Sequence, residues 1–361
     1  MHSHNGLQFG RHLVATIAIL VASASSAVSQ AARPQRWVLM YAGAPIQHKA
    51  YPRYTPDDIT RLVAAVDTAG KPLSWLTTGT LLMELYAPSR NVFTDWMGGS
   101  GAPANGDDWR TWVDTIFAPA GPVARLDSVV GSLGSRIGAL GQPYQIIVMI
   151  PYPDSKVDTL AFEGRTYHLR RADDGAALAA QYVSDVSTHF KAGKYRNLQL
   201  TAFYWLHESI QGPDTAVVPA VAAKVHEAGF RFLWIPYFNS PGSANWRRLG
   251  FDEAWMQPNY FFTPVTPTTR IDTAFALARR LDMGTEIEFD PKMLTDAAFT
   301  DRLLPYLTHL AAAPDLRRRT VPIYEGHGGL LDLSRSKDPL ARAQYDYLVR
   351  VLQSTDSLVS P

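Results

Sequence analysis

The chain contains no cysteine. Disulfide staples, thiolate metal sites, a cysteine nucleophile and a lipidated N-terminal cysteine are therefore excluded. Charge is sparse as well. Only 19% of residues are charged, and 34 basic residues balance 33 acidic ones to a net charge of +1. That balance gives no electrostatic basis for nucleic acid or an anionic membrane as the main partner. Cofactor motifs are missing too. Ala42-Gly43-Ala44-Pro45, after the first apolar strand, has neither a dinucleotide fingerprint nor a phosphate-binding Lys-Ser/Thr pair, and Gly-x-Ser-x-Gly is absent. Trp37 to Tyr41 lacks the His-x-His of an amidohydrolase, and His48, His168, His207 and His327 are scattered. No metal site is expected from them.

Long apolar runs are also lacking. The leading one, Leu13 to Ala22, follows Arg11-His12 and precedes the small-x-small stretch Ala27-Val28-Ser29. It is too short to span a bilayer, and its flanks are those of a cleavable secretory signal peptide. Residues 1–29 are expected to be removed, leaving 30–361 as an exported chain with no membrane span.

What remains is rich in core-forming residues. Hydrophobic residues make up 46% of the chain, with 9 Trp, 16 Tyr and 15 Phe. Apolar runs alternate with amphipathic ones. Strands are read at Arg36–Tyr41, within Leu73–Leu85, and at Tyr144–Ile150, Leu198–His207, Arg231–Tyr237, Glu253–Asn259, Thr285–Phe289 and Thr320–Tyr324. Between them, helices are read at Pro56–Thr68 with Thr55 as N-cap, Trp109–Phe117, Val123–Leu140, Asp173–Phe190, Thr215–Ala228, Arg270–Leu281 and Ala297–Ala312; Pro339–Leu352 closes the chain. Alternation of this kind predicts an α/β fold, a single (β/α)8 TIM barrel over residues 30–361.

On such a barrel the C-terminal strand ends form the mouth, where polar residues are read as functional. The seventh strand sets Thr285, Ile287 and Phe289 on one face and Glu286, Glu288 and Asp290 on the other. Its apolar face must meet the helices, so Glu286 and Glu288 are expected to point inward, roughly 6–7 Å apart. Like charges that close should raise the pKa of at least one. Glu288 lies nearer the mouth, and Glu208 closes the fourth strand opposite it. Two facing carboxyls are what glycoside cleavage needs, one to protonate the leaving oxygen and one to attack or activate water. Aromatic residues recur at strand ends, at Tyr41, Tyr86, Tyr152, Trp205, Tyr237, Tyr260 and Tyr324, where their faces could stack on sugar rings.

The blocks Trp205-Leu206-His207-Glu208, Gln257-Pro258-Asn259-Tyr260, Glu286-Ile287-Glu288-Phe289-Asp290 and Tyr324-Glu325-Gly326-His327-Gly328 resemble those of a bacterial family, domain of unknown function 4855. The resemblance runs from about Trp37 to Leu352 and implies a barrel like those of glycoside hydrolases. More widely, the chain is similar to the retaining glycosidases built on this barrel, whose acid/base Glu follows an Asn at the fourth strand and whose nucleophilic Glu ends the seventh. Glu208 and Glu288 match those places, with His207 where that clan has Asn. The expectation is a secreted glycoside hydrolase with Glu208 and Glu288 catalytic. Trp205, His207, Tyr237, Asn239, Gln257, Asn259, Tyr260, Glu286, Tyr324, Glu325 and His327 would contact the carbohydrate. A non-catalytic carbohydrate-binding barrel is the alternative.

Overall fold

The computed structural model describes Met1 and residues 35–42, 54–95, 101–326 and 328–354. Residues 2–29 of the expected signal segment and His327 lie outside the described residues. All described elements fall in one compact unit, Pro34–Pro361.

A fully buried apolar strand, β1 (Arg36–Tyr41), opens the fold. Helix α1 (Pro56–Val63) starts where Thr55 and Asp58 form a reciprocal capping box. It ends sooner than its pattern suggested, because Ala64 turns extended and the chain enters a small antiparallel hairpin, β2 (Ala64–Val66) with β3 (Pro72–Trp75). The second barrel strand is thus the shorter β4 (Gly79–Met83). Helices α2 (Gly106–Phe117) and α3 (Pro122–Ile137) lead to β5 (Tyr144–Ile150), buried at every residue. A hairpin that the apolar pattern did not reveal, β6 (Thr159–Phe162) with β7 (Arg165–His168), follows. Its two-residue turn puts Glu163 and Gly164 both at positive φ, +46° and +74°, the geometry that matches strand twist in tight hairpins.

The long helix α4 (Ala172–Gly193), β8 (Leu198–Trp205), α5 (Asp214–Glu227), β9 (Arg231–Trp234), β10 (Glu253–Met256) and α6 (Thr269–Arg280) come next. The expected seventh strand is broken. Its first part, β11 (Gly284–Thr285), pairs with β10, and its second, β12 (Ile287–Glu288), pairs with the last strand, β13 (Val321–Tyr324). Between them stands Glu286. The helix expected over 297–312 starts late, at Leu304, with Pro305 in its first turn, where proline is best tolerated. The chain forms α7 (Lys292–Thr295), turns, and begins again at α8 (Leu304–Ala311), followed by α9 (Pro314–Arg317). Helices α10 (Gly329–Arg335) and α11 (Pro339–Gln353) complete the described chain.

The nine parallel segments run in the order β11-β10-β9-β8-β5-β4-β1-β13-β12. The two edges of this sheet are neighbours in sequence, so it curls into a nearly closed barrel. Parallel neighbours require crossovers, which the intervening helices supply. Apolar strand residues fill the interior and the layer under the helices in one continuous core.

Candidate active site

A cavity of about 260 Å³ opens at the C-terminal ends of the strands. Its aliphatic wall is Leu39, Met83, Leu85 and Ile235, its aromatic wall is Tyr41, Tyr204, Phe262 and Tyr324, and its polar groups are Glu208, Gln257, Asn259 and Glu286. Among the described residues, no Lys, Arg or His lines it.

Glu286 occupies the break between β11 and β12. It is 0% exposed, and neither carboxyl oxygen has a hydrogen-bond partner. Burial, then the charges of Glu288 and Glu208, push its carboxyl well above the usual range. The Gln257 amide lies close enough to favour its charge, though not within hydrogen-bonding geometry. Glu208, just past the end of β8, faces the same cavity and is partly exposed. Burial pushes it up to about 8, against the Gln257 amide that favours its charge.

Glu288 is also fully buried but does not line the cavity. Its Oε2 accepts the backbone N–H of Asn259 at 2.8 Å and the Tyr306 hydroxyl at 2.6 Å, while Oε1 is unpartnered. Burial raises it to about 7, and those two donors hold it down. Tyr306 comes from α8, and its hydroxyl oxygen also accepts the backbone N–H groups of Tyr260 and Phe261, at 3.2 and 3.1 Å. Strands six and seven part here, and this phenol fills the gap. No local pattern announced it, because a buried tyrosine on a helix reads as core.

The remaining expected residues divide. Gln257, Asn259 and Tyr324 line the cavity. Asn259 sits at φ +50°, a left-handed conformation that asparagine tolerates better than most side chains. The others are placed elsewhere. Trp205 is a core residue, 0% exposed, edge-on to Tyr152 and Phe232. His207 points away from the cavity. Its Nε2 lies 2.6 Å from Asp95 and its Nδ1 3.4 Å from Asp214, with the Tyr152 ring stacked on it. Strand alternation explains both, because Tyr204 and Glu208 have the inward parity and Trp205 and His207 the outward one. That same parity was the available sign for Tyr204. Tyr237 joins Gln257 by a single bridge, Asn239 is an exposed turn residue at φ +61°, and Tyr260 lies buried under the Arg302 guanidinium. Glu325 is a helix cap. Its Oε2 accepts N–H groups of Gly328 and Leu330 at the start of α10, and burial pushes it up to about 8.

Among the described residues, no group of three or more His, Asp or Glu is arranged to hold a metal ion, and no helix is long and apolar enough to cross a membrane.

The profile of one protein family, Domain of unknown function (DUF4855), matches residues 36–350. The chain belongs to that family. No curated protein matches this DUF4855 chain. Among solved structures, similar ones include a xylanase with a bacterial Ig-like domain from termite gut, at 10% identity and TM-score 0.43 over 90% of this chain and 76% of that one. An Anoxybacillus α-amylase gives 11% and 0.42 over 88% and 78%. The orotidine 5′-monophosphate decarboxylase of Methanocaldococcus jannaschii gives 7% and 0.37 over 89% and 100%. At such identities and scores nothing about chemistry carries over from them.

Proposed function

We propose that this DUF4855 protein is an exported glycoside hydrolase on a (β/α)8-type barrel, cleaving an oligosaccharide or polysaccharide with two carboxyl groups. The observation that carries this reading is that Glu208 and Glu286 face one cavity, with aromatic rings beside them and no cationic side chain among the described residues that line it. Glu208, partly exposed at the mouth, is placed to give its proton to a leaving oxygen that departs toward solvent. Glu286, deeper in the cavity, attacks or activates water. Burial raises all three carboxyls, and the neighbouring charges add to this at Glu208 and Glu286, so the cluster keeps protons near neutrality. Two-carboxylate cleavage needs one proton to give and one carboxylate to attack or activate water, so in the reacting form Glu208 is protonated and Glu286 ionised.

Of the two strand-seven glutamates, geometry favours Glu286 over the expected Glu288, whose Oε2 is taken up by Asn259 and Tyr306. The test is a panel of polysaccharides and aryl glycosides, followed by Gln variants on whichever substrate is turned over. Glu208→Gln and Glu286→Gln should each lower kcat/KM by about 10²-fold or more, and Glu288→Gln by about tenfold or less. Near wild-type turnover in the first two would reject the assignment. Glycan binding without release of reducing ends would make the barrel a binding module.

A further inference from the structure

We infer that Gln257 is a positioning residue, held by a hydrogen-bonded relay that fixes which oxygen of Glu208 can carry the proton. The inference rests on the hydrolase reading for its purpose, but its geometry stands apart from it. The relay begins at backbone groups that can only donate. The N–H of Phe238 donates to Asn259 Oδ1 at 3.0 Å. The other amide atom of Asn259 is therefore Nδ2, a donor, and it lies 3.0 Å from Gln257 Oε1. That leaves Gln257 Nε2 to face Glu208 Oε1, at 3.5 Å. Each amide flip is set by the one before it, so the polarity of the chain is determined. Glu208 Oε1 must accept, and a proton on this carboxyl resides on Oε2.

The far end is anchored as firmly. Asn259 needs its left-handed backbone to present both amide atoms, and its own N–H is held by Glu288 Oε2, which Tyr306 holds in turn. Tyr306, Glu288, Asn259, Gln257 and Glu208 thus form one line from α8 across strands seven and six to strand four. Glu288, conspicuous in the sequence, works at a distance through this line. The long last contact is one that a ligand pressing on Glu208 would shorten.

The test measures the protonation of Glu208 directly in the full chain, by infrared difference spectra or carboxyl-labelled NMR, with Glu208→Gln identifying the signal. Gln257→Met removes the donor and should raise the Glu208 titration midpoint by roughly half a unit or more. Asn259→Gly keeps the left-handed backbone and the N–H to Glu288 but frees Gln257 to flip. It should move the midpoint in the same direction by less, and the double variant should add nothing to Gln257→Met. An unchanged midpoint in Gln257→Met overturns the proposal. A shift in Gln257→Met with none in Asn259→Gly also overturns it, because Gln257 would then need no relay. These readouts require no substrate, so they hold or fail independently of glycan cleavage. With a substrate in hand, the basic limb of kcat/KM should move with the titration.

Discussion

Glu325 shows how a residue can carry a functional signature and serve the scaffold. It ends a strand, is buried, and has a carboxyl pushed up to about 8. Yet its Oε2 caps α10, and burial is the first cause of its shift. A carboxyl raised in the fold holds a proton that the unfolded chain has already lost. Its contribution to stability therefore falls as pH rises from about 4.5 toward 8, and is level above. Glu208 and Glu288 act with the same sign. Thermal melts should thus show a lower Tm at pH 8 than at pH 5. Glu325→Gln should recover part of that loss at pH 8 and change little at pH 5, since a Gln oxygen can still accept the cap bonds. An equal change at both pH values would refute this account. Parity along the seventh strand identified Glu286 as inward from the sequence, whereas Gln257 and Tyr324 were named from their places at strand ends. On β8 alternation was not applied, and Trp205 and His207 were grouped with Glu208 by proximity in sequence. Long-range partners such as Tyr306 and Asp95 were not legible, because their contacts are made by folding.

The elements that escaped the sequence are short. The β6–β7 hairpin alternates on one face only and is written into a long strand-to-helix connection. It is nonetheless packed closely. A Cβ on Gly106, the first residue of α2, would lie 1.7 Å from the carbonyl oxygen of Ala161 in β6. Gly106→Ala should therefore cost about 1–3 kcal/mol in chemical unfolding, with increased proteolysis near residues 159–168. Gly134 in α3 is the control, since a Cβ there meets nothing within 4 Å. Gly134→Ala should be neutral or stabilise by about 0.5–1 kcal/mol. Equal effects at the two sites would disprove the packing argument. Pro305, in the first turn of α8, marked the late start of that helix, but the expectation of one helix over 297–312 read through it. The interruption at Glu286 had no such marker.

At the scale of the molecule, the alternation of strands and helices was enough to name the architecture, because parallel strands with helical crossovers have few ways to bury both faces. How the ring closes was not readable. At the floor, the buried Arg36 guanidinium donates to the carbonyls of Leu352, Arg317 and Arg319, at 3.0, 2.8 and 3.1 Å. One side chain thus ties the first strand to the last helix and to the approach of the last strand. Arg36→Met should lower unfolding free energy by about 3 kcal/mol while keeping one cooperative transition. A loss below about 0.5 kcal/mol, the range of ordinary surface changes, would mean the closure does not depend on it.

At the mouth, closure is of another kind. Beyond the bond that the Glu286 N–H donates to the Met256 carbonyl at 3.0 Å, the strands on either side of the seam part, and the amides of Asn259, Tyr260 and Phe261 are held by a carboxyl and a phenol. A ladder amide is released to solvent deuterons when the sheet opens. These three are released when Glu288 or Tyr306 turns away, a local event that leaves the sheet intact. Isotope exchange at this short stretch thus reports the occupancy of a side-chain latch, separately from the breathing of the barrel around it.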